Sequence, residues 1–159
     1  LPTQRRRQRQ MCIRDRVARR QIAIFKEEGV DLGKVKIDHS NDTTDTEYLK
    51  WILDQGCFLG LDRYPGRLVS PHMRTVTLKK LMDMGYGERL CPSHDCICLH
   101  IHNEQADGTI AKQHDFHKSN PDQYLFMHRH VIPELQELGA TDRDIEMLFV
   151  DNPRRLFEA

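Results

Sequence analysis

The sequence lacks any apolar run that approaches the roughly 18 residues needed to cross a bilayer. It also lacks an excess of charge of either sign, because 24 basic residues balance 24 acidic residues. This balance gives no reason to expect a nucleic-acid or membrane partner, and a hydrophobic content of 38% argues against general disorder. We therefore expect a soluble chain, whose 159 residues form one domain with a sizeable core or part of a larger domain.

Cysteines are few and odd in number, which disfavours a disulfide framework. The chain has five: Cys12, Cys57, Cys91, Cys96 and Cys98. Without a recognisable secretory signal, this count favours reduced thiols and a cytoplasmic location.

The basic residues are unevenly distributed along the chain. Residues 1–16 contain six arginines and one aspartate, which leaves 18 basic and 23 acidic residues in 17–159. This first segment has little apolar content and no periodicity, so it is predicted to be disordered, and its charge would suit a nucleic-acid-binding arm or a localisation signal. Met11–Arg16 also resembles the translation of a transposon-end sequencing adapter. We favour that interpretation, leave 1–16 out of the fold prediction and expect the true upstream sequence to be missing.

Residues 17–159 repeat one pattern three times: a short apolar strand, polar residues at its carboxyl end, and an amphipathic helix. The predicted strands are Lys34–Asp38, Cys57–Leu61 and Glu88–Pro92, and the first two are followed by helices over Thr46–Gln55 and Thr75–Met84. A further helix that ends at Gly29 precedes the first strand. Alternation of this kind predicts parallel βα units and an α/β fold.

Three more helices are predicted towards the end of the chain: Leu125–Leu138, Asp144–Phe149 and a short helix that opens at Asn152. Pro133 should interrupt the first of them, and Thr141 is a suitable N-cap for the second. The His-rich segment from Cys96 to Asp122 is longer than an ordinary connection, so it is predicted to be a functional loop over a site.

Polar side chains follow each predicted strand. They are His39 with Asp42, Asp62 with Arg63, and His94 with Asp95. The carboxyl ends of parallel strands lie on the same side of a sheet and carry the catalytic groups of α/β enzymes. Histidine and aspartate are also common ligands of Zn²⁺ and similar ions, but one of each is too few for a complete site.

A second group of potential ligands supports an alternative hypothesis. It consists of Cys91, His94, Cys96, Cys98, His100 and His102. These residues could stabilise a small zinc-dependent interaction module in which 1–16 form a basic nucleic-acid-binding arm. Their spacing lacks the paired short turns that wrap four ligands around one ion, so we favour cysteines that act as small hydrophobes. The remaining histidine pairs are interpreted as surface residues: His114, His117, His128 and His130.

In their order along the chain, six short motifs resemble the C-terminal half of a phosphotriesterase-related protein of the amidohydrolase superfamily. They are Asp38-His39-Ser40-Asn41-Asp42-Thr43, Tyr48-Leu49, Gly60-Leu61-Asp62-Arg63-Tyr64, Ser93-His94-Asp95, Val131-Ile132-Pro133 and Asp151-Asn152-Pro153-Arg154-Arg155-Leu156-Phe157. The resemblance covers 17–159 nearly without gaps. A linear series of motifs is more specific than any one of them.

This resemblance implies a (β/α)₈ TIM barrel, of which the chain would supply approximately strands six to eight. It also implies two divalent metal ions, usually Zn²⁺, bridged by a hydroxide and a carboxylated lysine. His39 would be a ligand of the more exposed ion, and Asp95 would bind the buried ion and take the proton of the attacking hydroxide. Asp42 would belong to an outer proton relay, and Arg63 would line the substrate pocket as in lactonase-like members.

The chain departs from phosphotriesterase itself at two positions, with Asp38 in place of a glycine and Arg63 in place of a histidine. The other metal ligands of the family would lie upstream of Val17. The sequence therefore predicts part of a metal-dependent hydrolase of an ester, lactone, amide or phosphoester. We expect a small-molecule substrate, no nucleic-acid or membrane partner, a homodimer as a possible state of the complete enzyme, and no activity from the isolated chain.

Overall fold

The structure is a computed structural model that describes residues 17–66, 68–96 and 120–158. The predicted disordered segment 1–16 lies outside the described residues, as does most of the predicted His-rich loop. The same is true of Cys98, His100, His102, His114 and His117.

Three parallel strands form a sheet in the order β1-β2-β3. The strands are β1 (Lys36–Ile37), β2 (Phe58–Leu61) and β3 (Leu90–Pro92), each shorter than predicted. Ile37 lies opposite Leu59, which in turn lies opposite Leu90. All four residues of β2 are buried, as expected for a central strand covered on both faces. The prediction of parallel βα units is confirmed.

The first two helices agree with the predicted pattern. Helix α1 covers 17–27, and helix α2 (Thr46–Asp54) begins at the N-cap Asp45. The carboxylate of Asp45 accepts hydrogen bonds from the backbone N–H groups of Glu47 and Tyr48, which otherwise have no partner in the first turn.

Helix α3 (Pro71–Leu81) begins four residues before the predicted Thr75. Its start is set by Ser70, whose hydroxyl accepts a hydrogen bond from the N–H of Met73, and by Pro71 at the first helical position. The prediction counted only the apolar period, which becomes visible after this capped turn. A wide helical turn, Met82–Tyr86, follows the helix where the prediction continued regular helix to Met84.

Two of the three C-terminal helices are shorter than predicted and adjoin wide turns, whereas the last one opens at Asn152 as predicted. Helix α4 (Ile132–Glu137) follows the wide turn Met127–Val131, helix α5 (Asp142–Glu146) precedes the wide turn Met147–Asp151, and helix α6 is Asn152–Phe157. The predicted interruption near Pro133 is seen as a change of hydrogen-bond pattern: the wide turn Met127–Val131 ends there, and regular helix begins at Ile132 with Pro133 in its first turn. The predicted cap at Thr141 is confirmed: Thr141 and Asp144 form a reciprocal capping box.

The core lies between the sheet and the helices that follow its strands. Helix α2 packs on β2 and on α3, while the wide turn that precedes α6 packs on β3. The most deeply buried aliphatic side chains come from all of these elements: Leu49, Ile52, Leu59, Leu61, Leu78, Leu81, Leu90 and Leu148. In 17–66, 68–96 and 120–158, we find no helix with the length and apolar character needed to cross a membrane.

Candidate functional site

The polar residues predicted to share a site lie beyond the carboxyl ends of the three strands. His39 follows β1, Asp62 and Arg63 follow β2, and Asp95 follows β3. Because the strands are parallel, these ends lie on one side of the sheet. Direct contacts connect the three segments.

The contact between β1 and β2 is made by His39 and Asp62. Asp62 Oδ1 accepts a hydrogen bond from the backbone N–H of His39 at 2.8 Å and lies 3.2 Å from its Nδ1. Burial raises the pKa of Asp62, and its hydrogen bonds with His39 oppose that rise. His39 adopts the left-handed backbone conformation with φ of 58°, and 54% of its side chain is exposed. With Nδ1 at Asp62, the accessible imidazole would bind an ion through Nε2, an orientation that carboxylate partners commonly impose on metal-binding histidines.

Asp42 lies between two guanidinium groups. Its Oδ2 accepts a hydrogen bond from Arg63 Nη1 at 2.8 Å, and its Oδ1 accepts one from Arg74 Nη2 at 2.9 Å. Only 8% of the Asp42 side chain is exposed. The role of Asp42 in a proton relay stays a prediction.

Arg63 connects the segments after all three strands. Its backbone N–H donates to Asn41 Oδ1 at 3.1 Å, and its guanidinium binds Asp42. On the other side, Nε lies 3.6 Å from Asp95 Oδ2. The side chain is 42% exposed, so it can reach both the buried Asp42 and a molecule in solvent.

Asp95 is the site residue that follows β3. Its backbone has a φ of 43°, and 45% of its side chain is exposed. The preceding His94 packs edge-on against Tyr124, with ring centroids 5.1 Å apart, and partial burial lowers its pKa. Asp95 therefore presents an accessible carboxylate next to His94 and the Arg63 guanidinium.

The donor types of His39 and Asp95 suit a divalent ion, but two donors do not complete a site. Zinc sites use three or four protein ligands with nitrogen, oxygen or sulfur donors. No three His, Cys, Asp or Glu side chains are grouped to hold an ion in the part of the chain that the structure describes. Further ligands would have to come from other residues, as the sequence predicted.

The alternative zinc cluster is described only in part. Cys91 lies in β3, where burial raises the pKa of its thiol to about 11 and so disfavours the thiolate that binds zinc. Cys98, His100 and His102 lie outside the described residues, so this hypothesis stays untested.

Sequence reasoning missed Arg74, which binds Asp42 from beneath the site. Its side chain is fully buried in α3 and donates to the carbonyl oxygens of Val69 and Asn41 as well as to Asp42. A signal was present, because Arg74 lies four residues before Leu78 and so shares the buried face of the helix. A charged residue on such a face needs a buried partner.

Sequence comparisons find a matching family profile and several relatives. The profile of the Phosphotriesterase family matches residues 11–157. A phosphotriesterase homology protein of Mycobacterium tuberculosis H37Rv is 36% identical over 141 residues, which cover 87% of this chain and 40% of that protein. An aryldialkylphosphatase of Saccharolobus solfataricus is 35% identical over 139 residues, which cover 86% of this chain and 42% of that protein.

A solved structure is similar over the same extent. The phosphotriesterase from Mycobacterium tuberculosis matches with a TM-score of 0.76 and 34% identity, and the match covers 89% of this chain and 42% of that one. The chain thus spans about two fifths of the length of these relatives. Its three parallel βα units have the architecture of a partial (β/α)₈ barrel.

Proposed function

Because the chain belongs to the phosphotriesterase family, we propose that it supplies approximately strands six to eight of a metal-dependent hydrolase. The proposed substrates are small molecules with an ester, lactone, amide or phosphoester bond. One observation carries the proposal: His39, Arg63 and Asp95 lie at the carboxyl ends of three parallel strands. There Asp62 accepts a hydrogen bond from the backbone of His39, and Arg63 donates to Asp42 and lies 3.6 Å from Asp95. The names of the relatives, which include an aryldialkylphosphatase and an N-acetyltaurine hydrolase, support hydrolysis in general.

His39 and Asp95 would hold the metal ions together with ligands from outside this chain. Bound divalent ions, which we propose to be Zn²⁺, would supply Lewis acidity towards the substrate oxygen and would lower the pKa of water. The carboxylate of Asp95 would accept the proton that the nucleophilic water loses. Asp62 keeps the His39 imidazole oriented through Nδ1. The family resemblance implies that Asp42 would serve in an outer proton relay, and such a relay would have to bypass Arg63, whose guanidinium cannot accept a proton.

Arg63 would bind the substrate and thereby distinguish this chain from phosphotriesterase. Its fixed positive charge can donate hydrogen bonds to a carbonyl or phosphoryl oxygen, but it cannot accept a proton. The side chain is half-exposed and close to Asp95. A substrate oxygen between these residues would meet a donor on one side and a proton acceptor on the other.

The proposal is tested by three variants of the complete protein, each assayed for metal content and for kinetics. Asp95→Asn should reduce turnover by at least about 10² to 10⁴, because an amide cannot act as the general base. His39→Asn should lower the affinity for one ion while Asp95 remains able to accept a proton, so added metal should restore part of the rate. Arg63→Ala should mainly change the preference among ester, lactone and phosphoester substrates.

The pattern across the three variants is the informative result. Near-normal turnover of Asp95→Asn with both ions bound would show that Ser93-His94-Asp95 is not the catalytic motif. Equal losses for all three variants, with metal content unchanged, would indicate general misfolding rather than distinct roles.

A further inference from the structure

We propose that Arg74 is a positioning residue that acts through Asp42 to hold Arg63 in its substrate-binding orientation. The proposal rests on the proposed function, because it assigns Arg74 a role in substrate preference. Arg74 itself is too deeply buried to touch a substrate, with 0% of its side chain exposed.

Three hydrogen bonds fix the guanidinium of Arg74 between the segments that follow β1 and β2. Nε donates to the carbonyl oxygen of Val69 at 3.0 Å, and Nη1 donates to that of Asn41 at 2.5 Å. Nη2 donates to Asp42 Oδ1 at 2.9 Å. The planar fork of an arginine can serve three acceptors in different directions, which the single ammonium group of a lysine cannot reproduce.

Asp42 restricts the position of the Arg63 side chain in turn. Its second oxygen, Oδ2, accepts from Arg63 Nη1 at 2.8 Å. A half-exposed arginine has many rotamers, and an anchored carboxylate restricts them. Because Arg74 holds the carboxylate by its other oxygen, Asp42 presents Oδ2 to Arg63 in one orientation.

Gly66 provides the space that this arrangement requires. Its φ is +68°, and a Cβ at this position would lie 2.2 Å from Arg74 Nη2 and 2.6 Å from the carbonyl oxygen of Arg63. Any side chain here would therefore collide with the Arg74 guanidinium and with the backbone of Arg63. The segment after β2 can close over Arg74 only because residue 66 is a glycine.

The test compares Arg74→Lys in two backgrounds of the complete protein, the native one and Arg63→Ala. In the native background we expect KM to rise about tenfold or more, with a smaller change in kcat, as for loss of a charge-assisted hydrogen bond. In the Arg63→Ala background the same substitution should cause no further change in KM or in substrate preference. Such non-additivity is the signature of two residues that act through one another.

Gly66→Ala should displace the Arg74 guanidinium too, but it also moves the backbone of Arg63 and strains residue 66, so Arg74→Lys is the discriminating variant. Arg89→Lys is the matched control. The Arg89 guanidinium donates to the carbonyl oxygen of Gly56 at 2.6 Å, at the opposite end of β2. This control should lose a similar hydrogen bond without any change in substrate preference.

A structural readout separates this proposal from the proposed function. In crystals of the Arg74→Lys protein we expect Arg63 to leave Asp42 or to occupy more than one rotamer, and this can be seen even if no substrate is hydrolysed. An Arg63 side chain that stays on Asp42 would overturn the proposal. So would an equal fold-loss from Arg74→Lys in both kinetic backgrounds, because that result would show a purely structural role.

Discussion

Asp62 and His39 illustrate how one buried carboxylate can determine which nitrogen of a histidine is available. A single oxygen of Asp62 contacts both the backbone N–H and Nδ1 of His39. The side chain of Asp62 is only 13% exposed, so water competes weakly for these contacts. If His39 is a metal ligand, then Asp62 contributes to metal affinity without binding the ion.

We expect Asp62→Asn in the complete protein to lower the affinity for one metal ion by about 10- to 100-fold, the usual cost of losing such a partner. A titration against a competing chelator would measure the change. Asp83→Asn provides the control, because Asp83 forms an ion pair with Lys79 on the exposed surface of the molecule. Unchanged affinity in Asp62→Asn would mean that His39 is not a ligand or is oriented by something else.

The site residues that follow the strands could be predicted from the sequence, but the buried residue that binds them could not. His39, Arg63 and Asp95 each follow an apolar run, and this position is visible in the sequence. Arg74 lies 32 residues from Asp42 along the chain. Its function depends on a contact that only the packing of α3 beneath the strand ends creates.

Helix α6 fixes the start of strand β3, although the two are far apart in the sequence. Asn152, the first residue of α6, is fully buried, and its Nδ2 donates to the carbonyl oxygens of Gly87 and Leu90 at 2.7 and 2.8 Å. On the other side of the amide, Arg155 Nη1 lies 3.2 Å from Asn152 Oδ1. This amide therefore ties α6 to the start of β3.

We expect Asn152→Ala to destabilise the complete protein by about 2 to 4 kcal/mol, because two buried carbonyl groups lose a donor. The midpoint of thermal unfolding should fall by several degrees, as differential scanning calorimetry would show. Gln136→Ala removes an exposed amide that donates to Asp142, and its midpoint should hardly move. Equal midpoints for the two variants would show that the hydrogen bonds of Asn152 do not stabilise the fold.

The boundaries of elements were less predictable than their order. The apolar period indicated where helices are buried, whereas Ser70 and Pro71 decide where α3 begins. Likewise, the strands are shorter than their apolar runs because a strand exists only where a neighbour pairs with it, and pairing is a property of the sheet. The order of strands and helices was predictable because each unit carries its own pattern and short connections make successive units neighbours.

The sheet that the structure describes has two outer strands. In the residues that the structure describes, β1 and β3 each pair with β2 alone. Unpaired edges of this kind promote association between chains. The sequence predicted these two open edges only through the family resemblance, because nothing in the residues of β1 or β3 specifies how many strands a sheet contains.

We therefore expect the isolated 159-residue chain to be inactive and only marginally folded. Purified chain should bind a hydrophobic dye and aggregate during size-exclusion chromatography, and micromolar Zn²⁺ should not produce esterase or lactonase activity. The complete protein is the positive control in both assays. Robust zinc-dependent turnover by the isolated chain would contradict both the need for further ligands and the assignment of His39 and Asp95.

The hydrogen bonds among Asn41, Asp42, Arg63 and Arg74 also affect how the loops of a barrel with this arrangement can be varied. Barrel enzymes commonly acquire new specificities when one loop changes and the others stay fixed. Here the segments after β1 and β2 share a buried ion-pair network, so neither is an independent module. If the segment that contains Arg63 were replaced by that of a relative, the substrate preference of the relative would be transferred only if its residues at positions 41, 42 and 74 were transferred too. We therefore expect the segments after β1 and β2 to change together, both among natural relatives and in functional products of laboratory recombination.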